Sequence, residues 1–140
     1  MKKIIFFFLS IGLFAQGFSQ SSHTDIKEQA KQQTEKLVKN YDLSAKQETK
    51  MQSIQERKFQ NAADFAFLAQ TDEKLFYQKK KANIDGTKFS IERLLNTTQM
   101  KIYKKEQENL RLVRMNKIKE LQSKGISGFE LEKAIIDLDY

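Results

Sequence analysis

The sequence predicts an all-α protein of four to five helices that follow a cleaved signal peptide. Three observations predict it. Proline is absent from all 140 residues and only 5 are glycine, while Gln, Glu, Lys, Ala and Leu dominate, a composition of helix formers. No stretch alternates apolar and polar residues over a strand's length. The one Asp-Gly pair, Asp85-Gly86, sits in helical sequence rather than between strand-like runs, which argues against a hairpin there. Apolar residues recur instead at three- and four-residue spacing, interrupted by residues that cap helices.

The first 19 residues read as an export signal. Lys2 and Lys3 give the positive end, and Ile4 to Phe14 is apolar apart from Ser10 and Gly12. Ala15 with Gly17, or Gly17 with Ser19, meets the small-x-small requirement of signal peptidase, so cleavage falls before Phe18 or, preferably, before Gln20. The alternative is an uncleaved anchor, but the apolar run is shorter than the ~20 residues of a spanning helix. The absence of cysteine rules out a lipoprotein. The expected organisation is therefore a signal peptide over 1–19 and a single helical domain over 20–140, periplasmic or secreted.

Cleavage changes what the composition means. Of 25 basic and 18 acidic residues, the signal removes Lys2 and Lys3 and no acid, leaving 23 against 18 and a net charge of +5. Five of the 11 phenylalanines also leave with it. The remainder supports a modest core without disulfides, so helix packing or a partner subunit must supply stability. In an exported chain the basic balance points away from nucleic acid and towards anionic membrane surfaces or unfolded polypeptides.

The helices follow in order. The first spans about Asp25 to Tyr41, with Ile26, Ala30, Leu37 and Tyr41 on one face and Thr24 or Ser22 as cap. Ser44 opens the second, because its hydroxyl accepts from the Gln47 N–H while the Gln47 side chain reaches back, a capping box; Met51, Ile54, Ala62, Phe65 and Ala69 share its apolar face. Thr71, Asp72 and Glu73 start a new helix or bend this one. A third segment, Leu75 to about Leu95, carries Lys79, Lys80 and Lys81 and weakens near Asp85-Gly86. Asn96 and Gln99 repeat the capping box, with Leu95 and Met100 as hydrophobic staple. That helix places Met100, Tyr103, Leu110, Ile118 and Leu121 on one side and stops at Gly125. Ser127 with Glu130 forms a third box for a short last helix striped by Leu131, Ala134, Ile135 and Leu138.

Two of these helix starts match each other. Leu43-Ser44-Ala45-Lys46-Gln47 and Leu95-Asn96-Thr97-Thr98-Gln99 both read Leu, cap, two variable positions, Gln. On these pentads, and on the layout of signal, helix, motif and long basic helix, the chain resembles the LTxxQ-motif (Spy/CpxP-like) family of small periplasmic helical proteins. The motif's Thr is Ser44 in one copy and Asn96 in the other, both competent caps. Glu48 takes the staple position after the first, which predicts a looser start there. The resemblance implies extended antiparallel helical hairpins, a thin curved homodimer, and a basic and apolar surface that holds unfolded or envelope proteins without ATP. It also admits a regulatory partner of an envelope sensor. A third reading, from the basic amphipathic helices themselves, is a peripheral membrane-binding protein.

The residues predict where such a surface lies. On the long basic helix, Leu112 and Met115 turn away from the Tyr103, Leu110 and Leu121 face and fall near Lys101, Lys105, Arg111 and Lys119. Phe59 and Phe67 leave the main stripe of the second helix in the same way. They face a client, a third helix or a dimer partner. Lys58, Arg114 and Lys117 intrude on apolar faces, where they snorkel or mark thin packing. Residues 101–124 hold eight basic and three acidic residues, whereas 130–140 hold four acids and one lysine. The acidic tail is expected either to fold back and mask the basic helix or simply to be solvated. Catalysis is not expected, nor is a metal or cofactor. His23 is the single histidine and there is no cysteine; His23 is placed in a flexible mature N-terminus, and no phosphate loop or nucleophile elbow is present. The paired acids Asp72 with Glu73 and Asp137 with Asp139 sit at helix ends as caps and dipole partners.

Overall fold

The computed structural model describes residues 23–139; the export signal read from residues 1–19 lies outside them, as does Tyr140. The described chain is all-helical. Helix α1 (His23–Tyr41) buries Ile26, Ala30, Thr34 and Tyr41, so the terminus expected to be flexible is helical from His23 onward. It stops because Asp42 takes a left-handed conformation (φ 52). That turn lets the Leu43 N–H donate back to the Val38 carbonyl at 3.2 Å, closing the helix end and folding Leu43 into the core.

Helix α2 (Ala45–Phe65) starts at Ser44 with both halves of the capping box formed. It ends in a turn at Ala66 and Phe67, followed by the single turn α3 (Leu68–Thr71). The Asp72 carboxylate then accepts from the Leu75 N–H at 3.0 Å and opens α4 (Glu73–Leu94). The weakening expected near Asp85-Gly86 does not occur, and α4 runs through it unbroken. Glycine costs about 1 kcal/mol in a helix, but neighbouring contacts hold α4 on both sides of it. Asn83 donates to the Lys58 carbonyl at 2.9 Å and accepts from Asn61 at 3.0 Å, and Ile84 and Ile91 are buried.

Helix α5 (Thr97–Ser123) is the longest at 27 residues, roughly 40 Å. Its Asn96–Gln99 capping box is complete. Gly125 (φ 79) ends it as expected, with Ile126 N–H donating to Leu121 and Gly125 N–H to Gln122. Helix α6 (Gly128–Leu138) departs from expectation at its start. Ser127 occupies the cap position but makes no side-chain cap bond. Gly128 is left-handed there (φ 58), which turns the first N–H groups away from the Ser127 hydroxyl, and the Glu130 carboxylate pairs with Lys133 instead.

Short connections make α1, α2 and α4 successive antiparallel hairpins, α1 packed on α2 and α2 on α4. Helix α5 touches α1 and then α6, and α6 returns to α4. The core sits at the end where the α1–α2 and α4–α5 turns meet. Tyr41, Leu43, Met51, Ile91 and Tyr103 form it, with Leu37, Val38, Ile54, Leu94, Leu95 and Met100 packed around. The leading leucine of the first pentad, Leu43, is thus a core residue contributing roughly 2 kcal/mol by burial, and that of the second, Leu95, is partly buried against the core.

Candidate functional site

Gln47 and Gln99, 52 positions apart, form a reciprocal pair. Gln47 Nε2 donates to Gln99 Oε1 at 2.7 Å, and Gln99 Nε2 donates to Gln47 Oε1 at 3.1 Å. Each amide also caps its own helix, its oxygen accepting from the Ser44 or Asn96 backbone N–H at 3.0 Å. The second proton of each amide goes to the carbonyl two residues before the opposite cap: Gln47 to Leu94 at 3.0 Å, Gln99 to Asp42 at 3.1 Å. Both oxygens and all four amide protons are therefore used, in an arrangement with local two-fold symmetry. Leu43, Ser44, Gln47, Leu95, Asn96 and Gln99 come together as one joint between the two helix turns. Its chemistry is structural: the Ser44 hydroxyl and both glutamine amides are spent on helix caps and on one another.

Beside the joint, Tyr41 and Tyr103 meet edge to face with ring centroids 6.0 Å apart. The Tyr41 hydroxyl donates to Glu106; burial first, and then this carboxylate, push its phenol well above the ordinary value. The Tyr103 phenol is pushed up to about 12, again mainly by burial, then by Glu92 and Glu106, yet its hydroxyl is buried with no partner. The two tyrosines therefore respond oppositely to removal of the hydroxyl. Tyr41→Phe is expected to lose about 1–2 kcal/mol, whereas Tyr103→Phe is expected to be neutral or to gain up to about 1 kcal/mol. Urea denaturation of both variants checks the signs.

Both tyrosines line a cavity of about 240 Å³ under the first half of α5, along with Lys58, Lys88, Ile84, Ile91, Glu106 and Asp139. Lys58, which intrudes on the apolar face of α2, stands in its wall, and burial lowers its pKa. Among the described residues no group of three or more His, Cys, Asp or Glu side chains is placed to hold a metal ion.

The predicted surface residues are distributed unevenly. Leu112 and Met115 are exposed on α5, and so are Lys101, Lys105, Arg111 and Lys119. Arg111 is fixed by Glu108 at 2.6 Å and reaches Met115 Sδ at 3.2 Å. Phe67 is 65% exposed in the turn after α2. Phe59 is instead half-buried, with the Lys58 ammonium 5.5 Å from its ring. Leu110, expected on the buried side of α5, is exposed, because between Tyr103 and Leu121 that helix buries no residue fully. Sequence reasoning missed Phe89, Ile102 and Val113, which are also exposed. Ile102 and Val113 lie eleven positions apart, three turns of helix, and that spacing was the available signal.

The acidic tail does fold back, though onto α4 as much as α5. Asp137 pairs with Lys80 at 2.7 Å and accepts from the Tyr77 hydroxyl at 3.1 Å. Asp139 pairs with Lys88 at 3.1 Å and with Arg114, and Lys133 pairs with Glu73 at 2.9 Å. Arg114 therefore has an acid for its charge on the apolar side of α5, while Lys117 pairs locally with Glu120. The other predicted α5 cations stay uncovered by α6.

Burial would raise the Asp139 carboxyl, but hydrogen bonds from Arg114 and Lys88 outweigh it and hold the group below its ordinary value. A depressed carboxyl binds fewer protons folded than unfolded. Its contribution is complete above the ordinary carboxyl range, about 4, and disappears as pH falls through the depressed value. On acidification, protection of the α6 amides from hydrogen exchange should therefore fall at a higher pH than that of α2. No family model, curated protein or solved structure matches this chain.

Proposed function

We propose that the mature chain is an exported, ATP-independent binding protein that holds unfolded polypeptides, acting as a homodimer in the periplasm or outside the cell. The observation that carries this reading is the surface of α5. Leu112 and Met115 are exposed there among Lys101, Lys105, Arg111 and Lys119. Apolar side chains supply affinity for unfolded chains, and the cations admit acidic stretches without demanding one sequence. The two pentads add support through their likeness to the LTxxQ-motif family, and the export signal supplies the compartment.

The test is suppression of aggregation of an unrelated unfolded protein by the purified mature chain, at substoichiometric and stoichiometric ratios. Suppression is expected, and Leu112→Asp with Met115→Asp should remove most of it while leaving helicity unchanged. No suppression at any ratio removes the reading. Saturable binding to a single envelope protein instead would favour a regulatory partner, and salt-sensitive binding to anionic vesicles a peripheral membrane protein. Among the described residues no helix is long and apolar enough to cross a membrane.

A further inference from the structure

Helix α6 is attached differently from its neighbours. Four ion pairs join it, with the adjoining Asp139, to α4 and α5: Asp137–Lys80, Asp139–Lys88, Asp139–Arg114 and Lys133–Glu73. By contrast Lys81–Asp85 and Arg111–Glu108 each lie within one helix, and Lys124–Glu120 joins α5 to its own C-cap. Ile136 is the one fully buried residue of α6, and Phe129, Leu131, Ala134 and Ile135 are half-buried. An aromatic contact adds to this: Phe129 meets Tyr77 at 5.9 Å, and the Lys133 ammonium lies 5.3 Å and 5.9 Å from the two rings. The Lys80–Asp137 and Lys133–Glu73 pairs each keep one partner about half exposed, and such pairs contribute little net stability and are screened by salt, whereas Asp139 with Lys88 and Arg114 is half-buried and less screened. Such a helix belongs to the low-stability end of the molecule.

The surface beneath is built for an acid. Lys80, Lys88 and Arg114 line up under Asp137 and Asp139, with the Phe76 and Tyr77 rings alongside. Asp139 stands at the rim of the cavity under α5. Arg114 Nε is buried with no acceptor, so the guanidinium has donor capacity that Asp139 leaves unspent. We infer that this strip of cations and rings is a docking site for an acidic amphipathic helix of another polypeptide, and that α6 is its built-in occupant, which an incoming segment must displace. The recognised chemistry is that of α6 itself: an aromatic residue, an apolar stripe, and carboxylates spaced to meet Lys80, Lys88 and Arg114. A closed α6 reduces the apparent affinity for the partner in proportion to the closed fraction. The site differs from the exposed face of α5 and is read by its own assay, so it stands or falls apart from the holding activity.

The test measures fluorescence anisotropy of a labelled peptide of residues 127–140 added to the mature chain. Asp137→Asn with Asp139→Asn weakens the resident helix and should tighten peptide binding by at least about tenfold over the parent chain. Adding Lys88→Gln and Arg114→Gln should abolish that gain, and a peptide with its four acids replaced by amides should not bind. Equal affinity in the parent and the Asn variant, or tight binding of the amide peptide, would overturn the inference. So would a sedimenting dimer formed by exchange of α6 between copies, which would assign the site to a second chain. If circular dichroism shows the Asn variant unfolded, hydrogen exchange of the parent decides. Between about 0.05 and 0.5 M salt, α6 amides should lose protection while α2 and α4 keep theirs, and salt-independent protection of α6 refutes it.

Discussion

Gln99→Ala is expected to lower stability by about 3 kcal/mol, because three partners lose four hydrogen bonds to this side chain at a site where it is almost fully buried. The Asn96 N–H and the Asp42 carbonyl lose one bond each, and the Gln47 amide loses both of its bonds to Gln99. Gln47→Ala should cost less, since Gln47 is only half-buried. The double variant should fall short of the sum by roughly 1 kcal/mol, as expected for residues in one network. Urea denaturation of the four proteins checks this. Strict additivity would mean that the two amides do not act together.

Met51→Ala should have an effect of similar or greater size. Met51 is fully buried (0% exposed) at the centre of the core, where truncation of a large aliphatic side chain costs about 2–5 kcal/mol. A second loss adds to the cavity. The buried Gln55 amide donates to Met51 Sδ at 3.6 Å, and alanine leaves that donor without its sulfur. Met51→Leu restores the volume but not the acceptor. It should therefore recover most of the thermal stability and remain below the parent, which a comparison of melting temperatures will show.

How much of this was legible in the sequence depended on distance along the chain. The boxes at Ser44–Gln47 and Asn96–Gln99 and the stop at Gly125 involve residues within about six positions of one another, and all three form as read. The pairing of the two boxes spans 52 positions, and nothing local announces it. Thr34, Gln55 and Asn83 are buried yet invisible to a search for apolar periodicity, since each is polar; Gln55 and Asn83 are held by side-chain hydrogen bonds, whereas the Thr34 hydroxyl has no partner. The reverse error occurred at Leu110, whose spacing matched the buried stripe of Tyr103 and Leu121 but which stands against the cavity under α5 and stays exposed. Ser127–Glu130 had the residues of a capping box without its backbone, because Gly128 is left-handed. The surface on α5 was partly legible through Leu112 and Met115. Val113 was legible only through its three-turn spacing from Ile102, and that spacing alone does not say which face lacks a neighbour.

The joint between the two helix turns also bears on how long the folded molecule lasts. The α1–α2 and α2–α4 hairpins close over short stretches of chain, whereas the Gln47–Gln99 joint closes a loop of more than fifty residues, a larger entropic cost. Its bonds are therefore expected to form late, on the native side of the rate-limiting barrier. Interactions made on the native side of that barrier slow unfolding and leave the folding rate nearly unchanged. The two glutamines thus act as a brake on escape from the native state: losing Gln99 should shorten the lifetime of the folded chain while refolding proceeds at close to its former speed.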